Sequence, residues 1–509
     1  MQETLFPIDS QPLFRLHQHQ RQALSAIMQG LSEPGSTGLY VAATGCGKTE
    51  VAAAAMERHA KAVMVVPYID LCDQTARRLR SRGLTVGIER AQLTSSEPYT
   101  VASYCTLLKH GRADHLIGNT DLLVIDEVHI NYTSKSLALI SKFREAGARI
   151  LGMTATPERK GDPLLKFYGN LLYHYPIEAA EKDGYLVPCR TWLTVIDDLD
   201  FSNFRSTYSD FDEVLLGKLM SKARVVEAVA ELVAQHYEGR SSVVFTASID
   251  QAEAVCQALA SRGIASVPVH SDENRLSKDE RRRNLSLFES GEVKVIVNVG
   301  CLCLGWDCPM VQCVFVARPT LNGPRYRQMY GRGTRPLPGV IDGLATPEQR
   351  RAAIAESGKP FFELFDITDS SRHNSVKSCI GLWLPDEDEK VIARVRERAP
   401  RGCTREEVDE IAAAERAALK AEEQAQLELL QKQRQAQARG SYRSFGVDHY
   451  GNPELAQRPR GWHMLFGKYR GWPLSKVPSD YLRWLVNSSN CKNEAFMAAI
   501  RRELKKRAA

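Results

Sequence analysis

The sequence predicts an α/β protein: two tandem lobes, each a parallel sheet flanked by helices, then a mainly helical C-terminal extension. Three observations carry this. The apolar run Gly38-Leu39-Tyr40-Val41 leads into the glycine loop Ala42-Ala43-Thr44-Gly45-Cys46-Gly47-Lys48-Thr49 and then into an alanine-rich run from Val51 to Met56, the order strand, loop, helix. Further apolar runs, such as Ala62-Val63-Met64-Val65-Val66 and Leu122-Leu123-Val124-Ile125, recur between helical stretches, as buried parallel strands do. After a polar interruption the same alternation starts again at Ser242-Val243-Val244-Phe245-Thr246, which argues for a second lobe of similar design.

Length and composition set the bounds. A chain of 509 residues exceeds one ordinary core, so two to four domains are expected. With 43% hydrophobic and 25% charged residues it has the make-up of a folded protein, which excludes wholesale disorder. No apolar run nears the ~18 residues a membrane span needs. Residues 1–13 lack the basic-then-apolar layout of a secretory leader. Twelve cysteines are scattered without a pairing framework, so reduced thiols and a cytoplasmic setting are expected. Net charge is +6 but uneven: residues 431–509 hold 16 Lys/Arg against 5 Asp/Glu, which leaves residues 1–430 at −5. A basic tail on a mildly acidic body fits a polyanion partner for the tail.

The glycine loop organises the first lobe. A strand-to-helix turn of this kind points consecutive backbone N–H groups at one spot, with the positive end of the helix behind them. Thr44, Gly45, Cys46 and Gly47 form the cradle. Lys48 is placed to reach the β- and γ-phosphates of a nucleotide, and Thr49 to ligate Mg²⁺. One helix upstream, Gln20 carries an amide that can both donate to and accept from a base edge. Downstream, Leu122-Leu123-Val124-Ile125 ends in Asp126-Glu127-Val128-His129, with Asp126 lying 78 residues beyond Lys48. Open α/β sheets bind ligands at the C-terminal edge of their strands, where this carboxylate pair falls. Asp126 suits Mg²⁺ held through water, and Glu127 suits the orientation and deprotonation of an attacking water. The next strand, residues 148–153, delivers Thr154-Ala155-Thr156, whose hydroxyls can bond to the carboxylate loop.

The second lobe carries Gly305-Trp306-Asp307 and then Gln328, Arg332 and Arg335, spaced four and three apart, as on one face of a helix. A pair of guanidiniums has no use in a core. They suit the charge that develops on a transferring γ-phosphate when this lobe closes on the first. Cys301, Cys303, Cys308 and Cys313 lie close by, match no metal-knuckle spacing, and read as buried free thiols.

After Phe361-Phe362-Glu363-Leu364-Phe365-Asp366 the alternation stops. Thr404 with Glu407 forms a capping-box signature that opens a charged helix running to about Ala438, polar nearly all round, a spacer or an arm. Residues 440–460 read as loop. In Phe466-Gly467-Lys468-Tyr469-Arg470-Gly471-Trp472, aromatics alternate with basic residues, so Lys468, Tyr469 and Trp472 are candidates to hold phosphates and stack on bases. Trp484 is expected in the core of this small module.

Taken in order, these stretches resemble the superfamily 2 helicases and translocases. Residues 42–49 are similar to motif I, Asp126-Glu127-Val128-His129 to a DEAH-type motif II, Thr154-Ala155-Thr156 to motif III, residues 302–309 to motif V and residues 328–335 to motif VI. The resemblance covers roughly residues 12–370 and runs toward bacterial and phage DNA helicases and the motor subunits of restriction enzymes. It implies two RecA-like lobes, ATP with Mg²⁺ in the cleft between them, and a nucleic-acid strand lying across both. On the nucleotide it implies Gln20 and, from the second lobe, Gly305 and Asp307. It implies coupling through His129, Thr154 and Thr156, and strand contact near Pro67, Tyr68, Ser103 and Ser248. Two positions depart from the family pattern: Cys303 stands where motif V usually has Thr, and Tyr104-Cys105-Thr106 lacks the usual Gln. Residues 466–485 resemble a small module at the C-terminus of some exonucleases and phage proteins. The domain reading is a first lobe over 1–186, a connector over 187–221, a second lobe over 222–372, a charged arm over 373–445 and a basic, aromatic module over 446–509. The expected partner is DNA before RNA, with the arm or the module open to a protein partner. The runner-up is a non-unwinding motor or switch subunit serving a nuclease or methyltransferase.

Overall fold

The computed structural model describes residues 16–130, 132–155, 163–196, 199, 201, 206–207, 210–303, 306–369, 376–443, 462–488 and 493–508. The chain forms two compact units, residues 1–418 and residues 419–509.

The first unit opens with α1 (Gln18–Gly30), β1 (Thr37–Ala42), α2 (Lys48–Met56), β2 (Ala62–Val66), α3 (Ile69–Arg80), β3 (Val86–Glu89), β4 (Tyr99–Ser103), α4 (Tyr104–Leu107), β5 (Leu122–Ile125), α5 (Ser134–Glu145), β6 (Arg149–Thr154), α6 (Pro163–Tyr168), β7 (Leu171–Tyr175) and α7 (Ile177–Lys182). Its seven strands lie in the order β3-β4-β2-β5-β6-β1-β7, and every pairing is parallel. β2 and β5 are buried at every residue, because helices cover both faces of a parallel sheet. That explains their unbroken apolar sequences. Beyond its first turn α2 is equally dry: Val51 to Met56 are all buried, so that part presents no polar face to water. Strands that all run one way bring their C-terminal ends to one edge. The glycine loop, Pro67-Tyr68, Ser103, Asp126-Glu127 and Thr154 therefore share it.

The second lobe is built from β8 (Cys189–Ile196), a short hairpin of β9 (Ser206–Thr207) and β10 (Asp210–Phe211), α8 (Glu213–Met220), α9 (Ala223–Tyr237), β11 (Ser242–Thr246), α10 (Ile249–Ala260), β12 (Ser266–Val269), α11 (Lys278–Glu289), β13 (Val295–Asn298), β14 (Cys313–Ala317), α12 (Gly323–Tyr330), α13 (Pro347–Glu356) and β15 (Phe362–Asp369). Its sheet runs β12-β13-β11-β14-β15-β8, again wholly parallel. Two stretches differ from the sequence reading. The span read as connector contains β8, which pairs with β15 along eight residues and closes one edge of the second sheet. The helix expected to carry Gln328, Arg332 and Arg335 ends at Tyr330. The two glycines at 331 and 333 release the chain there, so both arginines ride on the loop that follows.

α14 (Cys379–Trp383) and α15 (Glu389–Arg398) lead to α16 (Arg405–Arg443), longer than its composition suggested. Of the span read as loop, residues 440–443 belong to α16 and the rest lies outside the described residues. Val408, Ala412 and Glu415 are buried, whereas residues 420–435 are exposed throughout. The second unit ends in α17 (Ser479–Ser488) and α18 (Glu494–Ala508), packed around Leu474, Leu482, Leu485, Phe496 and Ile500. Trp484, expected in that core, is 54% exposed, because Leu482 and Leu485 take the inward face of α17.

Candidate active site

The glycine loop leaves β1 and enters α2 through two left-handed glycines, Gly45 at φ +94° and Gly47 at φ +74°. A Cβ on Gly47 would stand 2.4 Å from Gln20 Nε2, so helix α1 is pressed directly on the loop. Gln20 uses both ends of its amide there. Its Oε1 accepts from the His17 N–H at 2.8 Å, and its Nε2 donates to the Cys46 carbonyl at 3.1 Å. His19 contacts the same carbonyl at 3.1 Å and stacks on Tyr175 with ring centroids 4.4 Å apart. Burial lowers the His19 pKa to about 4, so its ring is neutral. Lys48 Nζ donates to the Ala42 carbonyl at 3.2 Å, folded back over its own loop.

Asp126 and Glu127 follow the central strand β5. Glu127 is one of three described non-glycine residues with positive φ, at +47°, and its N–H donates to Asp126 Oδ1 at 3.0 Å. That backbone strain turns the two carboxylates to the same side. Burial and then the Glu127 charge push Asp126 up to about 7, against the pull of Lys48. His129 Nδ1 lies 3.0 Å from Thr154 Oγ1 and 3.5 Å from Glu127 Oε2, linking the β5 and β6 strand ends. Burial lowers the His129 pKa.

The second lobe meets this edge through Gly331 to Arg335. A Cβ on Gly331 would stand 2.6 Å from Thr44 Cβ, and one on Gly45 would stand 3.2 Å from Thr334 Oγ1. The Val187 N–H donates to the Thr334 carbonyl at 2.7 Å. Arg335 forms an ion pair with Asp307, which also lies 3.5 Å from Arg78 Nη1. Arg332 donates to the Trp306 carbonyl. Burial, then the Arg78 charge, lower Arg335 to about 10.

These groups line one cavity of about 440 Å³, with Lys48, Thr49, Asp126, Glu127, Asp307, Arg332 and Arg335 on its walls. Gln328 is buried on α12 and does not line it. Gly305 and Thr156 lie outside the described residues. On the cavity wall, Thr44 Oγ1 and Glu127 Oε2 are buried and make no hydrogen bond among the described residues, Glu127 Oε2 having only the His129 ring 3.5 Å away.

Sequence reasoning missed several lining residues. Arg78 and Arg82 reach in from α3 and its C-terminal end and hold Glu50 of α2 at 3.0 and 2.8 Å. Tyr185 and His17 stand at the far end, and Ile341 and Asp342 reach there from the second lobe. Arg350 secures that segment: it donates to the Asp183 carbonyl at 2.7 Å and lies 4.1 Å over the Tyr185 ring.

The residues expected near the strand track sit at the same sheet edges but differ in availability. Tyr68 is 49% exposed after Pro67. Ser103 and Ser248 are helix N-caps whose hydroxyls accept from Thr106 and Gln251 N–H groups. Ser248 also lies 2.9 Å from Ser221 Oγ. Lys468, Tyr469 and Trp472 lie in the second unit. Among the described residues no group of three or more His, Cys, Asp or Glu is placed to hold a metal ion. Cys308 and Cys313 are buried free thiols there, and Cys301 is half-buried. No described helix is long and apolar enough to cross a membrane.

A family model described as "Type III restriction enzyme, res subunit" matches residues 13–159, and one described as "Helicase conserved C-terminal domain" matches residues 224–336. The chain is 26% identical over 243 residues to IRC3 of Saccharomyces cerevisiae, which covers 46% of this chain and 34% of that protein. It is 28% identical over 280 residues to the DNA 3'-5' helicase XPB of Kineococcus radiotolerans, covering 52% and 47%. A fragment of the chain assigned as the HsdR subunit of a type I restriction enzyme from Vibrio vulnificus YJ016 shares the fold with a TM-score of 0.51 at 21% identity, covering 70% of this chain and 64% of that one. The chain spans only 34% and 59% of the lengths of the first two curated relatives it matches. One matched model falls on each lobe, in this order along the chain, and both lobes are similar to those of the superfamily 2 helicases and translocases.

Proposed function

We propose that this chain is a nucleic-acid-dependent ATPase whose two lobes turn ATP hydrolysis into movement along a strand, DNA before RNA. One observation carries the reading: the glycine loop and carboxylate pair of one lobe share a single cavity with Arg332 and Arg335 of the other. Lys48 and the N–H groups of residues 44–49 bind and orient the phosphates. Thr49 and Asp126 would hold Mg²⁺, which when bound offsets phosphate charge. Glu127 Oε2, buried and making no hydrogen bond among the described residues, accepts a proton from the attacking water. Arg332 and Arg335 neutralise the charge that grows on the transferring group, and Asp307 holds Arg335 until then. His129 and Thr154 carry the state of the carboxylate loop to the neighbouring strand end. Because the arginines arrive only when the lobes meet, hydrolysis and lobe closure are one event. A strand gripped separately by each lobe is then displaced once per cycle.

ATPase rates measured side by side with single-stranded DNA, duplex, forked DNA and RNA test this. The expected result is strong stimulation by DNA. Rates that ignore every nucleic acid would overturn it. A second reading, a non-unwinding motor serving a nuclease or methyltransferase, draws on the restriction-subunit model that matches residues 13–159. Stimulated ATPase without strand displacement by the purified chain favours it.

A further inference from the structure

Four aromatic rings stand in a row on the surface of the second unit. Trp472 meets Tyr469 with centroids 5.5 Å apart, Tyr469 meets Tyr481 at 4.9 Å, and Tyr481 meets Trp484 at 5.6 Å. The inner pair rests on the small core. The outer tryptophans are 51% and 54% exposed. The row is held from two sides. Gly467 and Gly471 take φ of +77° and +83° and turn the chain back, so that the Met464 N–H donates to the Trp472 carbonyl at 2.8 Å. A Cβ on Gly467 would stand 2.4 Å from the Tyr481 hydroxyl, and the Lys468 N–H donates to that hydroxyl at 3.3 Å. α17 carries Tyr481 and Trp484 three residues apart, on one face.

The charges around the row select its ligand. Lys468 Nζ lies 5.6 Å from the Tyr469 centroid, Arg470 is exposed in the same turn, and Arg483 is exposed beside Trp484. Described residues 462–488 and 493–508 hold nine Lys/Arg and three Asp/Glu. Exposed aromatic faces between cations match a polyanion that itself has flat apolar faces. Duplex hides those faces inside its stack, and a plain run of acidic residues has none to offer.

We propose that this row is a binding platform for single-stranded nucleic acid. Bases stack on Trp472 and Trp484, and Lys468, Arg470 and Arg483 hold phosphates. The proposal does not rest on the ATPase reading, because its test contains no nucleotide. The full chain carrying Trp472→Ala and Trp484→Ala together is compared with wild type and with the Trp→Phe pair. The probes are fluorescein-labelled oligothymidine, a duplex of equal length and polyglutamate. Oligothymidine affinity should fall about tenfold or more in the Ala pair, since each ring loses its stacked base, and return in the Phe pair. Duplex and polyglutamate binding should hardly move. In parallel, 5-iodouracil oligonucleotides should crosslink wild type on the peptides bearing Trp472 and Trp484. Unchanged oligothymidine affinity, an equal loss toward duplex, a loss toward polyglutamate instead, or crosslinks that avoid both peptides would each overturn the platform. If the Ala pair fails to fold, the Phe pair and the wild-type crosslinks still decide.

Discussion

Gln20 was expected to read a base edge, yet its carbonyl is taken by the His17 N–H and one amide hydrogen by the Cys46 carbonyl. Its first effect is therefore on the shape of the glycine loop. Gln20→Ala should leave the His17 N–H without its acceptor and the Cys46 carbonyl with His19 alone, and loosen the cradle, with a cost of about 1–3 kcal/mol for the unmet group. Steady-state ATPase kinetics should show this as a KM for ATP raised roughly tenfold, with kcat changed less. Arg335 stands at the opposite wall. Arg335→Ala should cut the stimulated ATPase about 10³-fold, the scale of an arginine finger, while bound nucleotide measured by equilibrium dialysis stays within a few-fold. A variant with undiminished turnover would remove Arg335 from the chemistry.

At the scale of elements, the segment from Pro336 through α13 is a strap of the second lobe secured on the first. Ile341 packs against the first lobe's core, and Arg350, 3% exposed, donates to the carbonyls of Asp183, Leu344 and Ala345. Arg350→Ala should leave those carbonyls bare and lower stability by about 1–3 kcal/mol in denaturant titrations. This strap was not legible in the sequence, for a physical reason. Its partners sit more than 150 residues away, and periodicity records only which side of a segment is buried, not what buries it. The same holds for Arg78 and Arg82, which look like a solvated basic stripe until Glu50 is found opposite them. β8 was missed because an edge strand beside an acidic stretch lacks the unbroken apolar run that marked β2 and β5. The central strands, the glycine loop and the position of Asp126 and Glu127 were legible. A buried parallel strand has one sequence signature, and its C-terminal end has one place to go.

For the whole molecule, the basic excess beyond residue 430 predicts where salt matters. Removing residues 446–509 should weaken nucleic-acid binding and flatten the slope of log affinity against log salt, since fewer phosphates are neutralised. Fluorescence anisotropy over a salt series measures it, and an identical slope would argue against the tail. The remaining consequence concerns Gly331 and Thr44, which touch with no space for a methyl group between them. Side chains can flex to absorb error, but backbone against a β-carbon cannot. In the proposed cycle this contact is a hard stop set by the chain itself, and it fixes the depth at which the guanidiniums behind it stand. Gly331→Ala would act as a shim: ATP should still load, seen by a fluorescent nucleotide, while turnover falls because the gap never quite shuts.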